Sequence, residues 1–517
     1  MIGNITNLFL IGLISYFVIL LVVANLARRR AQPTIEDYFL ASRSVGSVVM
    51  FWGYIASIFS VFVIAGVFGL VFLYGVGGYM YGVMNVWAGL LIIYLAYRMW
   101  LAGRAFGHIT PGDMLEHRYQ SRLLRWIMAI FVLVFGGLYY IAIQMIGMGY
   151  IFEVAGLPYQ LGIVATMVIL VTYLLIGGFR AHVWTNVIQG IWFYGILIAG
   201  MFFLISGAGG WEKVVINLEN LSPRHLTIMG AAVLFWVTTV ISLGSDIVAP
   251  HLWPKFLAPK NPVIFKVMAV TLPVAMSLVY IPSLIGGISA ISFFNVQLPQ
   301  GVRPDQLFYA GLTRIEVPVV FLMLALLALP AAAMSTIEAF IMTCSSVVVV
   351  DVFKKGLKVN WSEKSLLNVG RIVIGVLGLG SLWFAYNPGQ VIGVLVTAGW
   401  GLYSVLVPAA LCAFYWRRAT KWGAISSILV GIVLILLGYT VLTPLWPPGF
   451  QPFTVGLLVS WATFFIVSRF TKPPSKEVID TYMQIGYRAR VPKIIPPTLI
   501  GVSPQTNDER GEKKDGN

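Results

Sequence analysis

The chain has 517 residues, of which 59% are hydrophobic and 10% charged, with a mean hydropathy of +0.88. Soluble domains carry about 25% charged residues, so the composition is that of a membrane protein. The formal charge of +15 does not indicate nucleic acid, because the basic residues sit between apolar stretches, where topology and anionic lipid account for them.

In chain order, about thirteen apolar spans are expected, at 6–27, 45–74, 77–100, 123–152, 159–178, 186–208, 228–250, 264–293, 315–351, 368–387, 390–415, 421–443 and 450–470. Stretches such as Phe9–Leu26, Tyr79–Tyr97 and Trp422–Gly438 carry no charge, and strand-like alternation is absent, so helices rather than a β-barrel cross the bilayer. Lys and Arg crowd into alternate gaps: Arg28–Arg30 after the first span, Arg98–Arg125 after the third, Arg180 after the fifth and Lys255–Lys266 after the seventh. Lys354–Lys364 follow the ninth and Arg417–Lys421 the eleventh. This bias predicts a multi-pass plasma-membrane protein with its N-terminus outside and its C-terminus cytoplasmic. The first span lacks a small-residue cleavage site and reads as a retained helix. The loop Gly103–Arg125 is amphipathic and predicts an interfacial segment; Val215–Thr227 reads as an outer loop with Trp211 as its anchor.

Three spans carry interruptions. The second holds Ser57, Ser60, Gly66 and Gly69; the seventh holds Thr238, Thr239, Ser242, Gly244, Ser245 and Asp246 before Pro250; the ninth holds Pro330 and then Ser335-Thr336. Broken or hydroxyl-rich helices in corresponding positions of two halves mark a midplane site in transporters with inverted repeats. Acids are scarce, so Asp246 and Glu338 are functional candidates by default. Asp246 admits three readings: snorkelling, pairing with Lys255, or a direct role. Glu338 shares a helix face with Ser335 and fits a gating or coupling carboxylate as well as a plain inter-helix hydrogen bond. The Ser335 and Thr336 hydroxyls could bind a hard cation or bond back to their own helix. Tyr140 and Gln144, at i,i+4, form a polar patch that either a solute or a neighbouring helix could satisfy.

Cys344 and Cys412 fall inside apolar spans and predict packed thiols, not a disulfide. No metal-ligand spacing, phosphate cradle or nucleophile–base pair is visible, so neither an enzyme nor a cofactor is expected. Residues 1–472 read as one transmembrane domain, and 473–517, rich in Pro and mixed charge, as a disordered cytoplasmic tail.

Four ordered stretches resemble the sodium/solute symporter family of proline, pantothenate, sugar and monocarboxylate permeases. Asp37–Gly46 is similar to its DYFLAGRSLG-like segment before the second helix, and Ser57–Gly75 to its SxFSAxTFLGxPGxxYxxG pattern. Gly177–Gln189 resembles GGFxAVxWTDVxQ, and Ala333–Glu338 with Asp351–Lys354 resembles AxMSTxDS followed by DxYK. Asn186 replaces the signature Asp, Val63 and Phe68 replace a Thr and a Pro, and Ile58 stands where proline permeases carry a sodium-binding Asp.

The resemblance implies an all-helical, leucine-transporter-like fold of two inverted five-helix repeats, about 45–208 and 228–415, flanked by helices at 6–27, 421–443 and 450–470. It implies a sodium site of the Ala56, Phe59 and Ala332 carbonyls with the Ser335 and Thr336 hydroxyls, sodium being the only metal. Ser57, Ser60, Tyr140, Gln144 and Ser242 are the implied solute-lining residues; Asn186, Asp246 and Glu338 are candidates for coupling or gating. Local unwinding of the second helix is expected at its glycines. The stretches Tyr140–Gly147 and Ala328–Ser335 look most like monocarboxylate permeases, and Pro250-His251 is shared with that branch and the proline permeases. The expected function is sodium-coupled symport of a small organic anion or amino acid; a proton-coupled symporter, a uniporter or a transporter-like sensor are the other readings.

Overall fold

The computed structural model describes residues 2–29, 31–80, 82, 86–240, 245–387 and 392–491. Among these residues the regular structure is helical, with one isolated bridge between Val45 and Pro259. Among the described residues eleven helices are long and apolar enough to cross a bilayer, the first Ile5–Arg28 and the last Phe453–Phe470. The spans expected at 77–100 and 228–250 each include residues outside the description, and Ala231–Val240 is a short apolar helix of the latter. Large apolar side chains such as Val18, Val270 and Trp383 are left exposed on the outside of the bundle, as a lipid-facing surface requires.

The second span is two helices. Ser47–Ile58 ends at Phe59 (φ −84°, ψ 93°), and the chain resumes as a π-helix, Phe62–Gly66, followed by Val67–Tyr74. The break lies at Phe59 and Ser60, not at the glycines where the sequence suggests it. Gly66 has another task. A Cβ there would lie 3.2 Å from the backbone of Gly393, and a Cβ on Gly393 would lie 2.7 Å from the Gly66 carbonyl oxygen. The second and eleventh spans therefore cross backbone to backbone, as small residues permit in membranes. Gly393→Ala is expected to cost about 1–3 kcal/mol in packing strain, read as a fall in the thermal midpoint of the detergent-solubilised protein.

The ninth span, Val319–Ser346, runs through Pro330 as continuous helix and extends as a π-helix, Val347–Gly356. The fifth and sixth spans form one helical stretch, Tyr159–Gly207, bent at Gly178 (φ 57°, ψ −157°), where a Cβ would meet the Tyr38 ring at 3.0 Å. The residues expected to link these spans are thus helical, which places His182, Thr185, Asn186 and Gln189 on one face.

Within the amphipathic Gly103–Arg125 segment, the helix Pro111–Tyr119 buries Asp113, Arg118 and Tyr119. Asp113 takes ion pairs from Arg125 (2.8 Å) and Lys355 (2.6 Å), and Arg125 also pairs with Asp351 and Glu116. The segment expected to be a disordered tail holds a helix, Lys476–Arg488, that buries Val478, Ile479, Tyr482 and Ile485. That stripe recurs at helical spacing, a signal the surrounding prolines and charges obscured. Residues 492–517 lie outside the description. Cys344 and Cys412 are free and buried.

Candidate sodium and solute site

Breaking a helix frees backbone groups that must find other partners. At the Phe59–Ser60 break the amide of Val61 donates to Gln144 Oε1 (3.1 Å), and that of Phe62 to Ser60 Oγ (3.1 Å). The carbonyls on the other side of the break face the ninth span. Ser335 Oγ lies 2.6 Å from the Ala56 carbonyl oxygen and 2.9 Å from that of Ala332, and Thr336 Oγ1 lies 3.2 Å from the Ser57 carbonyl oxygen. One hydroxyl proton cannot serve both Ala56 and Ala332, so the cluster holds more lone pairs than donors. All five residues are buried. Neutral hard oxygens in a dry setting are the donor set that suits an alkali cation.

The structure therefore brings Ala56, Ala332, Ser335 and Thr336 together. Phe59 sits at the break, its amide bonded to Ile55 (2.9 Å) and its ring edge-on to Phe193 and Tyr280.

Among the candidate solute-lining residues, Gln144 is fully buried on the fourth span. A backbone amide can only donate, so Val61 fixes the Gln144 oxygen towards the break and leaves Nε2 as a buried donor with no hydrogen-bond partner among the described residues. Tyr140, one turn earlier, enters an aromatic group: its ring centroid is 4.6 Å from Phe340, 6.0 Å from Trp400 and 6.3 Å from His251, and His251 stacks on Phe340 at 3.9 Å. Ser57 Oγ points elsewhere, donating to Gly53 and accepting from Asn186 Nδ2 (2.9 Å), while Ser60 Oγ caps the second half of its own span. Ser242 lies outside the described residues, and of Asp246 only the backbone is described, within the helix Ser245–Val248.

Glu338 is fully buried one turn beyond Ser335. Its Oε2 is 2.8 Å from His182 Nδ1 and 3.2 Å from Thr185 Oγ1, and its Oε1 is 3.5 Å from Gln189 Nε2. His182 Nε2 in turn meets Lys255 Nζ at 2.9 Å. His182, Lys255, His251, Phe340 and Trp400 were not singled out as site residues in the sequence. The polar face His182, Thr185, Asn186 and Gln189 could have been found by its i, i+3, i+4, i+7 spacing. The partners of Lys255 and His251 could not, because those contacts span 73 and 89 positions of chain, the latter between His251 and Phe340.

A broken helix facing a hydroxyl pair inside an apolar bundle defines an ion-coupled membrane transporter. A family model described as the sodium:solute symporter family matches residues 38–431, and the chain belongs to that family. It is thus a sodium-coupled secondary transporter and not an enzyme. The high-affinity proline transporter PutP of Bacillus subtilis (strain 168) is 26% identical over 478 residues, 90% of this chain and 98% of its own length. The sodium/pantothenate symporter of Escherichia coli (strain K12) is 29% identical over 503 residues, 91% and 99% of the two chains. Among solved structures, a Na+-coupled sialic acid symporter in a substrate-bound outward-open state superposes with a TM-score of 0.74 at 16% identity, over 91% of this chain and 99% of that one. Mhp1, a nucleobase-cation-symport-1 family transporter, gives 0.52 at 14% identity over 86% and 98%. These likenesses show the fold: all-helical and leucine-transporter-like.

Proposed function

We propose that the protein carries a small monocarboxylate or amino acid inward with sodium, using the Ala56, Phe59, Ala332, Ser335 and Thr336 oxygens for the ion. The observation that carries this reading is the set of hydrogen bonds from Ser335 and Thr336 to the Ala56 and Ser57 carbonyls across the broken second span. A cation there ties the second span to the ninth. The solute acts on the same break from its other side, through Gln144, whose oxygen already holds Val61. Each ligand therefore stabilises the geometry the other needs, and linkage makes the effect on affinity reciprocal.

The solute class follows from the lining. The free Gln144 donor suits a carboxylate oxygen, and the Tyr140, Phe340, His251 and Trp400 rings suit a small apolar body. Proline and pantothenate, the solutes named for the two relatives, both carry a carboxylate. The Lys and Arg bias of alternate loops supports a plasma-membrane orientation with the N-terminus outside and the C-terminus inside, the basic loops meeting anionic lipid. Asn186, which joins Ser57 to the His182 region, and Glu338 are the coupling residues in this reading.

Purified protein in liposomes, offered radiolabelled acetate, lactate, pyruvate, proline and pantothenate, tests it. At least one should accumulate only under an inward sodium gradient. Gln144→Ala should raise its half-saturating concentration at least about tenfold, the worth of a hydrogen bond to a charged group. Accumulation driven by a proton gradient alone, with none driven by sodium, would overturn the reading.

A further inference from the structure

Lys255 is a buried base that the transport reading does not use. It sits in a short helix, Trp253–Leu257, that follows the Pro250–Leu252 turn after the seventh span, and it is 1% exposed. An ammonium nitrogen can only donate, so its contact with His182 Nε2 makes that nitrogen the acceptor. Nδ1 then carries the imidazole proton and donates it to Glu338 Oε2. The three side chains thus form a line in which a neutral imidazole bridges one buried cation and one buried carboxylate. Charges buried in a membrane protein are retained where they serve ion or proton movement.

The line touches the sodium cluster twice. Glu338 is on the face of the ninth span that carries Ser335, one turn away. Asn186 Nδ2, 3.5 Å from His182 Nε2, bonds Ser57 Oγ, and the carbonyl of Ser57 takes the Thr336 hydroxyl. A sodium ion at the cluster would bring a second cation within reach of the same carboxylate. Two cations facing one anion in a low-dielectric interior are strongly disfavoured.

We propose that Lys255 holds an exchangeable proton which sodium displaces, so that the protein couples sodium binding to proton release. Without sodium, the Lys255 ammonium balances the Glu338 carboxylate through His182. When sodium binds at the Ser335–Thr336 cluster, it takes over that balance. The Lys255 ammonium then loses one proton to water and becomes an amine, while His182 keeps its single proton. Charge is conserved: one cation arrives and one proton leaves.

The surroundings leave Lys255 as the group that responds. Burial alone brings its pKa down to about 7, so loss of its proton is accessible at neutral pH. The Phe179 ring lies 5.7 Å from Nζ, and His251 stands close enough to act on both Lys255 and His182 electrostatically. The helix Trp253–Leu257 packs on Ile35–Leu40, Ser47–Ile58 and Tyr97–Phe106, whose ionisable groups are engaged elsewhere. Glu36 pairs with Arg43, Asp37 with Arg180, Arg98 with the Gly486 carbonyl and Arg104 with that of Pro259. Tyr38 packs edge-on to Phe39, Tyr54 lies against Phe256, and Tyr97 stacks with Trp100. Beyond His182, Glu338 is met by Thr185 and by Gln189, which also bonds the Tyr16 hydroxyl (2.6 Å).

The inference rests on the sodium site proposed above, and the experiment separates the two. Solubilised full-length protein in weak buffer at pH 7 is titrated with NaCl, with choline chloride as control, while a pH dye reports proton release. Parallel equilibrium dialysis of 22Na+ gives binding from pH 6 to 8. Up to one proton should appear per sodium bound. The sodium dissociation constant should tighten by about tenfold per pH unit where the proton is held, levelling off at higher pH, as linkage requires. Lys255→Met should bind sodium without proton release and without pH dependence. Sodium binding by the wild type with no proton release and a flat pH profile would overturn the inference alone. No 22Na+ binding at any pH would overturn the sodium site and the inference with it. Because the wild-type titration decides the matter, a misfolded variant does not leave it open.

Discussion

Alanine at both Ser335 and Thr336 is expected to raise the sodium concentration for half-maximal solute uptake by about a hundredfold. Each hydroxyl is a polar contact to a charged species, worth about 1.5 kcal/mol when lost, and two such losses amount to two factors of ten. Either single change should show about one factor of ten. The Ser335 change is the more disruptive for the protein itself, since its hydroxyl lies within reach of carbonyls of both spans, 2.6 Å from Ala56 and 2.9 Å from Ala332. Ser346 supplies a control on the same helix: among the described residues its hydroxyl bonds back to Thr343 (2.8 Å), so Ser346→Ala should leave sodium dependence in place. Sodium-dependent uptake measured over a concentration series in liposomes decides it. An unchanged half-saturating concentration in the double variant would remove these hydroxyls from the site.

Removing Arg125 should have the largest effect on stability. Its guanidinium pairs with Asp113, Asp351 and Glu116 while itself nearly inaccessible, and Asp113 and Asp351 are fully buried. Breaking a buried pair from one side costs about 3–5 kcal/mol, because the remaining charges keep their desolvation penalty and lose their compensation. Arg125→Ala should therefore lower the thermal midpoint in detergent by several degrees or more, and Lys355, which also reaches Asp113 (2.6 Å), limits the loss.

The pH dependence fixes the mechanism. In the wild type, burial alone would raise the Asp113 carboxyl, but Lys355 and Arg125 hold it well below the ordinary range. A depressed carboxyl contributes stability that is fully present above about pH 4 and is lost as pH falls further towards its folded value. Without Arg125 the carboxyl rises, so protonating it becomes favourable in the folded state. The variant should recover part of its deficit between pH 7 and pH 5, where the wild type gains nothing from this group. A deficit that is the same at both pH values would show that Arg125 acts through packing rather than charge.

The sequence made some of this legible and not the rest, for physical reasons. Apolar length marks a bilayer crossing directly, so the expected spans recur as helices such as Val263–Phe293 and Lys421–Tyr439. The pairing of the second and ninth spans followed from the family resemblance. The position of the helix break did not, because Phe59 and Ser60 carry no breaking signature; the break is held by partners elsewhere, Gln144 for Val61 and Ser335 for Ala56. Gly66 suggested flexibility and instead provides a close crossing. The Pro111–Tyr119 segment read as amphipathic, but the ion pairs of Asp113 with Arg125 and Lys355 were not legible, because Lys355 lies far along the chain. Lys255 read as a loop base suited to Asp246, whose side chain lies outside the description; among the described residues Lys255 meets His182, 73 positions away in the chain but adjacent in space.

In the proposed mechanism a sodium ion sits between the broken second span and the hydroxyls of the ninth. A structure of the protein determined with thallium in place of sodium tests this most directly, because the heavier ion reports its position by anomalous scattering. A single strong peak is expected, bounded by the Ala56 and Ala332 carbonyls and the Ser335 and Thr336 hydroxyls. A peak seated on the Glu338 carboxylate, with none beside Ser335, would contradict it.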